Sequence, residues 1–158
     1  MSPAGAPTLV SRDEVLRHIE EEMGILVRRL KRTIAERARA LDPGLQGTSY
    51  LLLGWLAQHG PVRPSAVVEA LGTDKGAISR RLQHLEELGY VARTPDPSDG
   101  RATLVSATGP ARDRLAEIDR RRREQLDARL GDWSAEELDD LVTQLGRYNR
   151  SLDGITLS

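Results

Sequence analysis

The stretch from residue 73 to residue 105 constrains the fold of this chain more than any other part of it. Apolar residues recur there at steps of four, three and three, at Ile78, Leu82, Leu85 and Leu88. This spacing predicts an α-helix with one buried side. Thr73 or Asp74 can cap its first turn, and Gly89 can end it in the left-handed conformation.

Two strand-like runs follow this helix, at 90–93 and 102–105, and the residues between them are rich in Pro, Asp and Gly. They predict a two-stranded hairpin. Asp99 lies two residues before Arg101, close enough to hold either the arginine side chain or the turn backbone in place. A helix that leads into such a hairpin has the form of a winged helix-turn-helix. The alternative is an ordinary hairpin with a surface ion pair, which would contribute well under about 1 kcal/mol.

The polar side of the predicted helix suits the major groove of DNA. Gly76 has no side chain to hold the backbone away from the bases. Arg80 can fork onto guanine, and Gln83 can pair with adenine. Ser79 and Thr73 can reach phosphates or bases. The alternative for the helix alone is a polar surface that is only solvated.

Two runs carry a resemblance to a known family: ISRRLQHLEELGYVAR at 78–93 and DPSDGRATLVSAT at 96–108. They resemble the multiple-antibiotic-resistance regulator (MarR) family, most specifically in the wing at 99–101. The resemblance implies a mainly α fold with a small β-wing, in which a winged helix-turn-helix domain is flanked by N- and C-terminal dimerisation helices. It also implies a sequence-specific regulator of transcription, most often a repressor, whose homodimer binds a pseudo-palindromic site on double-stranded DNA.

The residues expected to contact DNA lie in the predicted helix, the turn before it and the hairpin. They are Thr73, Asp74, Lys75, Gly76, Ala77, Ser79, Arg80, Gln83, Arg93, Asp99, Gly100 and Arg101. Arg101 is expected to enter a narrow minor groove, where the negative potential favours arginine. Arg93 is expected to contact a phosphate or to brace the wing.

The resemblance further implies a small aromatic or anionic effector, bound between the DNA-binding lobe and the dimerisation helices. His18, Tyr50 and Trp55 are the residues that could line such a crevice. The competing interpretation is that Tyr50 and Trp55 belong to the hydrophobic core. No sequence feature identifies the ligand.

The rest of the chain predicts three further segments around the winged domain at 46–108. Residues 1–10 are expected to be mobile, 11–45 to form an N-terminal dimerisation helix, and 109–158 to form C-terminal dimerisation helices. The first helix has a narrow apolar stripe, at Leu16, Ile19, Met23, Leu26 and Leu30. A helix of about 30 residues is too long for so small a domain to cover, so we expect part of its contacts to be intermolecular. The alternative is a helix packed wholly within one chain.

Charge and cysteine content narrow the functional classes. The formal net charge is −1, and residues 73–101 carry five basic and five acidic side chains. DNA binding would therefore depend on where the arginines point and not on overall charge. The absence of cysteine excludes disulfides and thiol-based sensing. The sequence has no apolar stretch near the roughly 20 residues of a membrane span and no signal peptide at its start, so a cytoplasmic protein is expected.

Catalytic motifs were not found. The sequence has no Gly-rich phosphate loop, no nucleophile elbow and no His-Glu-x-x-His motif. Its three histidines fall on different predicted elements, without a second histidine at metal-ligand spacing. We therefore expect no enzymatic activity, no cofactor and no metal. The main alternative function is a protein-interaction module with a winged-helix fold that does not bind DNA, which the near-neutral charge favours.

Overall fold

The computed structural model describes residues 11–153, so the expectation for residues 1–10 lies outside the described residues. Within that range the elements are α1 (Arg12–Leu41), α2 (Gly47–His59), α3 (Pro64–Leu71), α4 (Lys75–Glu87), β1 (Val91–Asp96), β2 (Asp99–Ala107), α5 (Gly109–Arg129) and α6 (Ala135–Ser151). A mostly helical chain with one small antiparallel hairpin confirms the predicted fold class. The chain divides between Ile118 and Asp119 into two compact units, which are described separately.

The helices begin and end at the local signals in the sequence. At the start of α1, the Ser11 hydroxyl accepts a hydrogen bond from the Glu14 N–H at 3.2 Å, and the Glu14 carboxylate accepts one from the Ser11 N–H at 2.9 Å. Of the two candidate caps of α4, Asp74 makes the bond, because its carboxylate accepts a first-turn N–H at 2.9 Å. Gly89 has a φ of 77°, as its predicted role at the end of this helix requires.

The core of the first unit is built around α2, which packs against α1, α4 and β2. Leu52, Leu53 and Leu56 of α2 are almost completely buried. The other buried apolar residues are Ala38, Leu41, Leu45, Tyr50, Val67, Ile78, Leu82, Leu85, Val91, Val105, Ala107, Ala111 and Leu115. Leu51 is 51% exposed, so α2 lies at the centre of the core but one side of it faces solvent.

The hairpin is longer than the sequence predicts, since only Pro97 and Ser98 separate its strands. The reason is the side chain of Asp96. Its Oδ1 accepts hydrogen bonds from the Ser98 N–H at 2.8 Å and from the Ser98 hydroxyl at 2.7 Å. These bonds reverse the chain within two residues, and strand pairing continues almost to the tip.

A single residue, Val62, extends this small sheet. Val62 pairs with Val105 of β2 through an isolated antiparallel bridge, with N–H to O distances of 3.0 and 2.8 Å. Since Val105 is fully buried, the bridge attaches β2 to the segment that precedes α3. The wing is thereby joined to the helical part of the first unit by backbone hydrogen bonds.

The later helices bury less than their patterns predict. Leu115 of α5 is buried and Ile118 is half-buried, but Leu126 is 49% exposed. In the second unit, α6 is capped by Ser134, whose hydroxyl accepts from the Glu137 N–H at 3.2 Å. None of the residues of α6 is buried, although its apolar residues share one face. Those that are most exposed are Leu141, Val142 and Leu145, and Leu152 at the C-cap is exposed as well.

Candidate nucleic-acid interface

Helix α4 separates its apolar and polar residues onto opposite sides, as its period predicts. Ile78, Leu82 and Leu85 are buried. Arg80 and Gln83 are exposed. The buried side ties α4 to the core, so the exposed side is presented by a helix that cannot rotate about its axis. A fixed helix with a polar exposed side is what the major groove admits.

The guanidinium of Arg80 lies back over the first turn of α4, where Gly76 leaves room for it. A Cβ added to Gly76 would lie 3.4 Å from Arg80 Nη1 and 3.1 Å from Asp74 Oδ2. The arginine head group is therefore close to the N-terminal end of the helix. In helix-turn-helix proteins this end contacts the edges of the bases.

Gln83 and Arg93 each have an acidic partner. The Gln83 amide donates to Glu87 Oε1 at 3.1 Å, and pairing with adenine would replace this bond. Arg93 Nε donates to Glu86 Oε2 at 2.8 Å. Because Arg93 lies on β1 and Glu86 on α4, this ion pair braces the wing against the helix.

At the tip of the hairpin, Asp99 holds the backbone of the turn. Its Oδ1 accepts a hydrogen bond from the Arg101 N–H at 3.1 Å. Arg101 is exposed, as is Gly100 beside it in β2. The second strand therefore begins with a well-defined backbone and an arginine that projects into solvent.

Arg63 and Asp96 form an ion pair that the sequence analysis missed. Arg63, the residue before α3, donates from Nε at 2.7 Å and lies within 2.6 Å through Nη2, both to Asp96 Oδ2. The hydrogen bonds from the Ser98 hydroxyl and N–H, and then Arg63, lower the pKa of Asp96 from 3.8 to about 2. The Asp-Pro-Ser sequence signals the local turn, but the two charged residues are 33 positions apart and no local pattern links them.

A hollow of about 420 Å³ lies between α3, α4 and β1. Val68, Ile78 and Leu82 contribute its apolar lining. Its polar lining includes three predicted DNA contacts, Lys75, Ser79 and Arg93. An apolar cavity with a few converging polar groups is the usual form of a small-molecule site.

The three residues considered for an effector have different surroundings. Tyr50 is 7% exposed and belongs to the core, and Trp55 packs against that core from its edge. Trp55 also stacks on His59, with ring centroids 4.5 Å apart. His18 is exposed on α1. The histidine beside Trp55 is therefore His59 and not His18, the one considered for the effector crevice.

Among residues 11–153, no group of three or more His, Asp or Glu side chains could hold a metal ion. None of the helices in that range combines the length and apolar character that crossing a membrane requires.

Comparison with known proteins places the chain in a family. The family model described as MarR family matches residues 44–102. The HTH-type transcriptional regulator YxaD of Bacillus subtilis is 30% identical over 133 residues, which cover 84% of this chain and 92% of YxaD. The chain belongs to the MarR family. It is thus a helix-turn-helix transcription regulator of MarR type, and the expectation that it is not an enzyme is confirmed.

Two further proteins extend this comparison. The HTH-type transcriptional repressor NicR of Pseudomonas putida is 27% identical over 110 residues, covering 68% of this chain and 70% of NicR. The crystal structure of apo MarR from E. coli superposes with a TM-score of 0.63 at 19% identity, covering 90% of this chain and 98% of that one. At this identity the likeness concerns the fold, which is the winged helix-turn-helix that the hairpin and α4 predict.

Proposed function

We propose that this MarR-family regulator binds a specific double-stranded DNA sequence as a homodimer and represses transcription. The observation that carries the proposal is the exposed side of α4, with Arg80 and Gln83, on a helix whose other side is buried in the core. The braced hairpin beside it carries an exposed Arg101. Repression is supported by the similarity to the repressor NicR. Because the relatives are bacterial, we assign the protein to the cytoplasm, where the DNA lies.

The homodimer is supported by apolar side chains left exposed on two helices. On α1 they are Val15, Leu16, Ile19, Leu26, Val27 and Leu30, and on α6 they are Leu141, Val142 and Leu145. Exposed apolar faces of this extent mark protein interfaces. A two-fold dimer would carry two copies of α4 about 34 Å apart, one turn of DNA, and would therefore read a pseudo-palindromic site.

The two arginines would have different tasks in this complex. Arg80 would pair with a guanine in the major groove, so its loss should cost about 1–3 kcal/mol at one base pair and relax the preference there. Arg101 would enter the minor groove, so its loss should weaken binding to most sequences. The difference between the two variants separates base reading from backbone and shape contacts.

The test is a selection of tight-binding duplexes from a random library, followed by titrations with single base-pair changes. Arg80→Ala, Arg101→Ala and the control Arg129→Ala, in the last turn of α5, would be compared at two salt concentrations. The proposal requires binding that weakens with salt and a preference that only Arg80→Ala relaxes. Equal, feeble binding of every duplex would instead support a protein-interaction module.

A small aromatic anion is the effector class that we propose, and the 420 Å³ hollow beside α4 is the site that favours it. Its apolar lining suits an aromatic ring, and Arg93 and Ser79 suit a carboxylate. Because Lys75 and Ser79 are also predicted DNA contacts, a ligand there would compete with DNA. Benzoate, used as a probe, should lower DNA affinity in the wild type and have less effect in Val68→Trp, which fills the hollow.

A further inference from the structure

A second hollow, of about 290 Å³, lies between the start of α2 and α4. Arg80, Arg81 and His84 of α4 line one side of it. Gln46 and Ser49, at the start of α2, line the other. None of its lining residues within the described range is acidic. The hollow is therefore basic on one side and, on the other, faces the beginning of a 13-residue helix.

The first turn of α2 offers hydrogen-bond donors to this hollow. Gln46 is the N-cap residue, but its side chain does not cap the helix. Among the described residues, the N–H groups of Gly47 and Thr48 have no protein acceptor, since the first-turn bonds to the Gln46 carbonyl come from Ser49 and Tyr50. Unpaired N–H groups at a helix N-terminus, together with the helix dipole, attract anions.

Ser49 adds an observation that does not depend on the helix terminus. Ser49 is only 4% exposed, and among residues 11–153 no hydrogen bond of its hydroxyl is found. Every side-chain polar atom in that range that is fully shielded from solvent has a partner, so the Ser49 hydroxyl is not fully shielded and keeps some access to the hollow that the residue lines. A nearly buried hydroxyl without a partner lowers stability unless water or a ligand supplies one.

The start of α2 is also held in place. A Cβ added to Gly47 would lie 3.0 Å from Ile34 Cγ2, so the first turn of α2 is in close contact with α1. The donors of this turn are therefore arranged before any ligand binds, which reduces the entropy that binding would cost.

We propose that this hollow binds an oxyanion, and that the oxyanion is a backbone phosphate of DNA, an assignment that rests on the DNA-binding function proposed above. The donors are the N–H groups of Gly47 and Thr48, the Ser49 hydroxyl and the guanidinium of Arg81. The site extends the DNA contact from α4 to α2. A phosphate held there would set the register of α4 in the groove without reading sequence.

The test compares Arg81→Gln with Arg129→Gln, which removes the same charge from the far end of α5. On a duplex selected by the wild-type protein, Arg81→Gln should lower affinity on all sequences about equally. It should also reduce the slope of log K against log salt by about 1. Arg129→Gln should change neither quantity. Ser49→Ala should lower affinity by a few-fold, with its melting temperature measured to confirm folding.

A second arm identifies the phosphate. Duplexes that each carry a single methylphosphonate lack one phosphate charge. At one position per half-site, this substitution should weaken DNA binding by the wild type but not by Arg81→Gln. His84→Gln, on an exposed residue that lines the hollow but is not one of the proposed donors, should lower affinity less than Arg81→Gln. If Arg81→Gln and Ser49→Ala both behave like Arg129→Gln on a bound duplex, the phosphate assignment is wrong although DNA binding stands.

If the protein binds no DNA, the proposed function itself is contradicted, and a third experiment tests the oxyanion site separately. Inorganic phosphate would then be titrated while the amide resonances of Gly47 and Thr48 are followed by NMR. Saturable shifts in the wild type that disappear in Arg81→Gln would show that the hollow binds an oxyanion. They would also show that this oxyanion is not a DNA phosphate. Unchanged resonances would overturn the site as well.

Discussion

The winged-helix part of the chain and helix α6 have similar sequence patterns but opposite burial. Within the described residues, every apolar side chain of the hydrophobic core lies before Ile118. α6 has a well-formed apolar face and a complete capping box, yet it buries none of its residues. A helix of this kind gains most of its stability from packing its apolar face. The apolar sides of α2 and α4 are therefore covered within one chain, whereas the apolar face of α6 is left exposed among the described residues.

The largest effect should come from a cavity in the core around α2. Leu53→Ala removes a fully buried side chain of α2 and should lower the free energy of unfolding by about 2–5 kcal/mol. Leu51→Ala, two residues away and 51% exposed, is the matched control and should cost under about 1 kcal/mol. Urea denaturation followed by circular dichroism measures both. Equal losses would mean that the core around α2 is not closed.

The second prediction concerns the exposed apolar face of α6. Leu145→Asp places a charge on the exposed apolar face of α6 and should raise the dissociation constant of the proposed homodimer about 10- to 100-fold, or about 1.4–2.8 kcal/mol. Thr143→Asp adds the same charge away from that face and should leave the dimer intact. Sedimentation over a range of concentrations measures association. An unchanged dimer in Leu145→Asp would show that α6 is not part of its interface.

The third prediction tests how tightly the first region is packed where backbone meets backbone. A Cβ at Gly60 would lie 2.8 Å from the Leu56 carbonyl oxygen and 3.2 Å from the Ser106 Cα. Since neither atom can move by a side-chain rotation, Gly60→Ala should cost about 1–3 kcal/mol. Gly54→Ala is the control, because nothing lies within 4 Å of the added Cβ. It should gain about 0.5–1 kcal/mol in the helix. Thermal unfolding that ranks the two variants the other way would contradict this packing.

The fourth prediction concerns the polar attachment of the wing. Because the pKa of Asp96 is lowered to about 2 in the folded protein, its stabilising contribution is present above about pH 4 and is lost as the pH falls through 2. Asp96→Asn should therefore melt roughly 2–5 °C below the wild type at pH 7, and this difference should shrink as the pH falls from 4 to 2.

The matched control for this variant is Asp99→Asn. Asp99 lies 3.8 Å from Arg63 and is about half exposed, so its replacement should change the melting temperature less at every pH. Melting curves from pH 7 to pH 2 measure both variants against the wild type. A difference between Asp96→Asn and the wild type that stays constant over this range would mean that the charge of Asp96 does not stabilise the wing.

Much of the fold could be predicted from local signals. Capping residues such as Ser11 and Ser134, the left-handed Gly89 and the spacing of Ile78, Leu82 and Leu85 act over one or two helical turns, so a sequence displays them directly. The candidate DNA-contacting side of α4 follows from the same period. The length of the hairpin was underestimated, because a side-chain turn at Asp96 allowed pairing that strand propensity did not predict.

Sequence patterns were enough to predict the family, the order of the elements and the polar side of α4, because each shows in residues that are close together along the chain. The folded structure was needed to show that Arg63 pairs with Asp96, that Arg93 pairs with Glu86, and that Ser49 and Arg81 line the same hollow. It also decided that the apolar pattern of α5 is buried at Leu115 but exposed at Leu126. The physical reason is that periodicity states which side of a helix is apolar, whereas burial depends on whether another surface is present to cover it.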